Sequence, residues 1–206
     1  MLNRRHCLTA GLIVAVAGPS SGFVSRRAHA QAVERASAFV QQTGDRLVAT
    51  VNGTAGVAEK RRAITQILET AVDVDGVARF CLGRFWRNTS ADQQKRYVTA
   101  FHEVLVTNIS GKLGEYRGVK LTVQRARQQD DEVIVTTVVE RPNNPPTTVD
   151  WVIAQPTTAP KIIDVVAEGT SLRLTQRQDY ASYLSRNNND VDALINAMKH
   201  QTAQNG

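Results

Sequence analysis

Few side chains in this sequence have the type and spacing that bond chemistry needs. Beyond residue 30 the histidines are His102 and His200, far apart along the chain. A histidine acts as a general base when it reaches a substrate proton at a suitable pKa, and a neighbouring carboxylate commonly orients it. His102 would therefore need an aspartate beside it in a pocket; a surface or satisfied core histidine is the plainer reading. Asp73 and Asp75 would form an acid–base pair only if buried together. As caps for a helix N-terminus they need nothing further, because free N–H groups and the helix dipole favour a carboxylate there. Asp130-Asp131-Glu132 reads as a solvated acidic turn. Cys81 lies on an apolar stripe with no histidine nearby, which describes a buried inert thiol rather than a nucleophile. No Cys/His spacing suits a metal, and there is neither a phosphate-binding glycine loop nor a Gly-x-Ser-x-Gly elbow. The expectation is a protein without enzymatic activity, cofactor or metal.

Asp164 is the least comfortable charge. It interrupts Ile162-Ile163 and Val165-Val166 in an otherwise apolar strand. An unpaired buried carboxylate is costly, so it needs an arginine or backbone N–H donors. Arg79, Arg84 and Arg177 are the candidate partners. Such a pair would fix strand to helix, or form the polar mouth of a binding site.

The elements that must position these groups follow from periodicity. Val33, Ala36, Val40, Leu47 and Val51 recur near helical spacing, and Asn52-Gly53-Thr54 ends that helix. A second helix over 57–71 buries Ile64, Ile67, Leu68 and Ala71; Lys60, Arg61 and Arg62 at its start form a solvated face or a partner contact. Asp73 to Trp86 reads as a short helix with Val74, Val77, Ala78 and Cys81 on one stripe, Gly83 as its left-handed stop, and Phe85 and Trp86 as an aromatic latch. Ser90 and Gln93 form a capping box for a helix of about 22 residues, with Tyr97, Phe101, Leu105, Ile109 and Leu113 spaced four apart. The period then changes to two. Strands are predicted from Val119, over 132–140, over 147–155 and over 161–167. Short turns connect them, which means an antiparallel meander. After Gly169, Leu172, Leu174, Tyr180 and Leu184 are expected to pack inward on a helix, and Val191, Leu194, Ile195 and Met198 on a short final one. Helices on both sides of a meander make the fold class α+β.

Residues 1–30 have the form of a cleavable secretory signal: Arg4 and Arg5, an apolar run from Cys7 to Gly18, and Ala28-His29-Ala30 as a small-x-small cleavage site. The general secretory route fits better than the twin-arginine route, because Cys7 stands where a large apolar residue is usual. Residues 31–206 then form a single domain. The net charge of +6 falls to +2 once Arg4, Arg5, Arg26 and Arg27 are removed, too little to argue for nucleic acid. Cys81 would remain as a lone cysteine, with no intramolecular disulfide possible.

Val72-Asp-Val-Asp-Gly-Val-Ala-Arg-Phe-Cys-Leu-Gly-Arg-Phe-Trp-Arg87 resembles the most characteristic segment of the MlaC family. Ile162-Ile-Asp-Val-Val-Ala-Glu-Gly-Thr-Ser-Leu172, followed by Gln176, Arg177 and Tyr180, resembles its strand–Glu-Gly-x-Ser–helix segment. The resemblance covers roughly 33–198. It departs at Pro160-Lys161, where an aromatic usually precedes the lysine, and at Leu174-Thr175. It implies a periplasmic phospholipid carrier with a cone similar to nuclear transport factor 2, a four-stranded antiparallel sheet and flanking helices enclosing an apolar cavity. The implied partners are phospholipid, or a hopanoid in one branch, an inner-membrane ABC transporter complex with MCE domains, and an outer-membrane lipoprotein complex. A monomer is expected. From apolar character and face, the cavity wall is assigned to Phe80, Phe101, Leu105, Ile109, Val123, Val135, Trp151, Ile153, Leu172 and Tyr180. Two rival classes remain: a small enzyme on the same cone, with His102 near an aspartate, and a structural adaptor with a filled core. Lys60, Arg61, Arg62, Arg84, Arg87, Lys95 and Arg96 would meet acidic partners or anionic membrane, or simply water.

Overall fold

A meander forms one layer of the molecule and helices build the rest. The computed structural model describes residues 21–112 and 115–205. Residues 1–20, with the charged start and apolar run of the expected signal, and Leu113 lie outside the described residues. The helices are α1 (Ser21–Asn52), α2 (Val57–Ala71), α3 (Val74–Leu82), α4 (Ala91–Gly111), α5 (Leu172–Arg186) and α6 (Val191–Asn205). A 3-10 turn, Gly83–Asn88, follows α3. The strands are β1 (Lys120–Gln129), β2 (Glu132–Glu140), β3 (Thr147–Ala154), β4 (Lys161–Ala167) and β5 (Thr170–Ser171).

The sheet runs β1-β2-β3-β4-β5 in chain order, every neighbour antiparallel. It therefore has five strands rather than the expected four. The fifth is two residues long and exists because Glu168 and Gly169 both take positive φ, 51° and 79°. Positive φ at both positions makes a tight hairpin whose twist matches its strands. Ser171 then closes the hairpin and caps α5 by accepting the Leu174 N–H at 3.2 Å.

Two register shifts shape the sheet. One falls between Val123 and Arg125, so that Val123 and Ala126, three apart, both pack on the same cluster. The other lies between Val152 and Ile153, opposite Ile163. An extra residue at such a bulge turns the strand and re-aims side chains. Ile162 and Val165 thus join one apolar cluster, while Asp164 pairs with Val152 on the other face.

α1 lies across β1 and β2. It comes close at Gly44, where a Cβ would stand 2.9 Å from the end of the Leu121 side chain and would make that side chain shift. The far end of α1 is latched by Asn52, which accepts the Gly118 N–H at 2.7 Å and donates to the Val119 carbonyl at 3.1 Å. Lys60 donates to the Val51 carbonyl and Arg61 to the Thr107 hydroxyl, so two of the three basic residues there hold helices together. Only Arg62 of the trio is fully exposed.

The apolar residues fall into three clusters. One joins α3, α4, α5 and α6 around Ala78, Leu82, Tyr97, Phe101, Leu184 and Ile195. A second joins α1 and α2 to the sheet around Ala36, Val40, Val133, Val135, Ile153 and Ile162. A small third, Ile64, Leu68 and Val106, ties α2 to α4. Val72 packs against all three. The capping box forms as predicted, and Asp73 rather than Asp75 caps α3. Leu172 and Leu174 do not pack inward: they are 53% and 48% exposed at the start of α5, where the chain leaves the hairpin. The final helix is 15 residues long, not short.

Candidate lipid-binding cleft

Val72 sits between two helices, its N–H bonded to the Leu68 carbonyl and its strand-like backbone bridged to Ile162. Asp73 N–H donates to the Ile162 carbonyl at 3.0 Å. These bonds hold the α2–α3 junction against the start of β4. α4 crosses opposite, and the space between is an open cleft of about 520 Å³. That volume lies within the range of about 300–1,000 Å³ usual for small-molecule sites. Val72, Val74 and Val98 supply its apolar lining; Glu69, Asp73, Asp75, His102, Glu103 and Lys161 supply the polar one.

Each polar group has a local reason for its position. Lys161 donates to the Glu69 and Thr70 carbonyls at 3.2 and 2.8 Å, capping the C-terminus of α2 with a positive charge. Asp73 accepts the Gly76 N–H at 3.0 Å. Glu69, Asp75 and Glu103 are exposed on the rim. His102 is half-buried, its Nε2 enclosed without a partner. It shares the cleft with Asp73 and Asp75, yet among the described residues no hydrogen bond joins it to a carboxylate. Three valines and seven polar residues, four of them carboxylates, therefore line the cleft. A second open cleft, about 300 Å³, lies between α1 and the β3–β4 turn, lined by Phe39, Ala38, Arg35, Gln42, Pro156 and Pro160.

The ten residues assigned from sequence to a cavity wall divide between layers. Phe80, Phe101, Leu105 and Tyr180 belong to the helical cluster, where the Phe101 and Tyr180 rings meet edge-on at 6.3 Å. Val123, Val135, Trp151 and Ile153 belong to the sheet cluster, with Val135 directly opposite Trp151. The Trp151 indole donates to Thr137 at 2.9 Å. Ile109 is 36% exposed and Leu172 53% exposed, so these two stand apart from both clusters. None of the ten lines either cleft. Val72, Val74, Val98 and Lys161 line the larger cleft and were not among the ten. The one sequence signal for them was the short break between the helix predicted over 57–71 and the one beginning at Asp73.

Asp164 also departs from expectation. Its charge partner is Arg173, at 3.4 Å, and not Arg79, Arg84 or Arg177. It accepts from the Ser171 hydroxyl at 2.6 Å and from the Val165 and Arg173 N–H groups at 2.8 and 3.1 Å. Burial and the Asp164 charge nearby push the Cys81 thiol up to about 12, while its Sγ donates to the Arg173 carbonyl. Burial likewise pushes the Tyr97 and Tyr180 hydroxyls upward.

Comparison with known proteins places this architecture. Residues 39–200 match the family model described as "MlaC protein". The chain is 24% identical over 144 residues to the toluene tolerance protein ttg2D of Pseudomonas putida, covering 69% of this chain and 67% of that one. Its fold is similar to the phospholipid-binding protein of Ralstonia solanacearum, solved in complex with a phospholipid. The TM-score is 0.73 at 22% identity, over 82% of this chain and 97% of that one. With the family model spanning most of the chain, from α1 through α6, the protein belongs to the MlaC family.

Proposed function

We propose that this protein carries phospholipid, holding acyl chains between its helical and sheet layers and leaving the headgroup at the rim of the Val72 cleft. The observation that supports this most is the position of Val72, the point where all three apolar clusters meet beneath an open cleft. A chain entering there would reach both layers, and with them Phe80, Phe101, Leu105, Tyr180, Val123, Val135, Trp151 and Ile153. The Ralstonia protein's bound phospholipid and the shared family agree with this reading. The physical need is plain: an acyl chain of about 16 carbons crossing water exposes about 0.8 kcal/mol per CH₂, a barrier on the order of 12 kcal/mol. Enclosing the tails removes most of it.

In this reading the protein works in the periplasm, exported by the general secretory route and cleaved after Ala30. Ala32, just past that point, is buried. It acts as a monomer that shuttles lipid between an outer-membrane lipoprotein complex and an inner-membrane ABC transporter with MCE domains. The test is native mass spectrometry of the periplasmic protein before and after delipidation. A mass increment of one or two phospholipids is the expected result, lost in Val98→Trp, which fills the cleft floor. A hopanoid mass would change the cargo. No increment, with no uptake from vesicles, would overturn the carrier reading.

A further inference from the structure

The other end of α3 carries a different surface. Arg173 and Arg177 both stack on Phe80, with guanidinium carbons 4.7 and 4.9 Å from the ring centre. Arg84 lies 4.9 Å over Phe85 and Arg79 lies 5.7 Å over Trp86. Gly83 brings the 3-10 turn against α5: a Cβ there would stand 3.1 Å from the Arg177 guanidinium. Beside these arginines, Leu172 and Leu174 flank Arg173 and project half-exposed from the start of α5. Asp164, the carboxylate beneath, is buried and spent on Ser171 and Arg173. Glu168 and Asp179 are exposed at the margins. Among the described residues Arg79, Arg84 and Arg177 make no ion pair.

A guanidinium stacked by its face keeps its edge N–H donors free, and these match the two oxygens of a phosphate. Exposed leucines and aromatic rings among basic residues are the composition of a face that enters a lipid headgroup layer. We propose that this face, built from Arg79, Arg84, Arg177, Leu172 and Leu174, docks on an anionic phospholipid surface. The arginines sit at the phosphates and the two leucines dip below them. Half-exposed leucines beside unpaired arginines suit a lipid layer because it takes up apolar side chains without a complementary pocket, while its phosphates take the charges. With α3 nine residues long, about 13 Å separates this face from the Val72 cleft at its other end.

Co-sedimentation with phosphatidylcholine vesicles, with and without a fraction of phosphatidylglycerol, tests the proposal. The wild-type protein should sediment with the anionic vesicles only and be released as salt is raised. Each arginine near such a surface contributes on the order of fivefold, so R84E/R177E should lower partitioning at least tenfold. L172S/L174S should lower it as well, while the salt dependence persists. Wild-type protein that stays in the supernatant, or variants that bind like wild type, would overturn the proposal. So would loss in these variants of binding to a protein partner while vesicles bind none. Both variants are at exposed positions, and circular dichroism checks that they fold. Lipid content by mass spectrometry reports separately on the carrier reading, since docking is measurable on delipidated protein.

Discussion

At the residue scale, Asp164 explains why the Glu-Gly-x-Ser segment has its form. The carboxylate needs three donors and a cation, and the tight hairpin brings Ser171 and Arg173 back to it within nine residues. Breaking a buried pair from one side leaves an uncompensated charge, so Asp164→Ala should cost about 3–5 kcal/mol. Ser171→Ala, which removes both a cap and a donor, should cost about 1–2 kcal/mol. Urea denaturation gives both numbers; values within a few tenths of wild type would deny the segment this role. Alkaline pH acts on the core hydroxyls. Tyr97 and Tyr180 are held neutral by burial, with pKa raised above the ordinary value of about 10. Above that pH the unfolded chain loses protons that the folded one keeps, so stability should fall. Tyrosine absorbance on a pH ramp should therefore show these two ionising with unfolding rather than ahead of it.

Among the elements, Gly83 has the strictest backbone. Its φ of 60° and ψ of −128° end α3 and launch the 3-10 turn. The predicted stop is there, though the conformation is an extended one of positive φ rather than left-handed helix. A side chain is strained in that region by about 1–3 kcal/mol. Gly83→Ala should thus lower Tm by roughly 2–10 °C in calorimetry, and an unchanged Tm would show that the turn relaxes freely. The helices were legible because their periods persist over many residues, β1 and β3 because apolar residues alternate, and β2 and β4 because β-branched runs lie between turns. β5 was not, since two residues carry no period and only a Glu-Gly pair marked the turn. The bulge opposite Ile163 was equally silent, and with it the side of the sheet on which Asp164 lies. Leu172 and Leu174 misled because apolar type was read as burial, whereas the hairpin delivers them to the surface.

For the whole molecule, sequence periodicity showed which residues are apolar and on which face, but not which layer each face meets. Eight of the ten expected wall residues consequently split between a helical and a sheet cluster, while the larger cleft is lined by the α2–α3 break, α4 and the first residue of β4. If lipid tails part these layers, cargo and stability are linked. A ligand that binds only the native state adds about 2.7 kcal/mol at a hundredfold excess over its Kd. Delipidated protein should consequently unfold at lower temperature than loaded protein, and lipid-bearing vesicles should restore the difference. Equal melting temperatures for the two forms would separate cargo from fold.

Cys81 gives the molecule a clock. It is 1% exposed, wedged between α3 and α5 near Phe80, and no other cysteine lies beyond Cys7. A thiol so enclosed reacts only when the helices around it separate. In protein made without residues 1–30, the labelling rate thus counts openings of the helical layer, without an engineered probe. Loaded and empty carriers should keep different time.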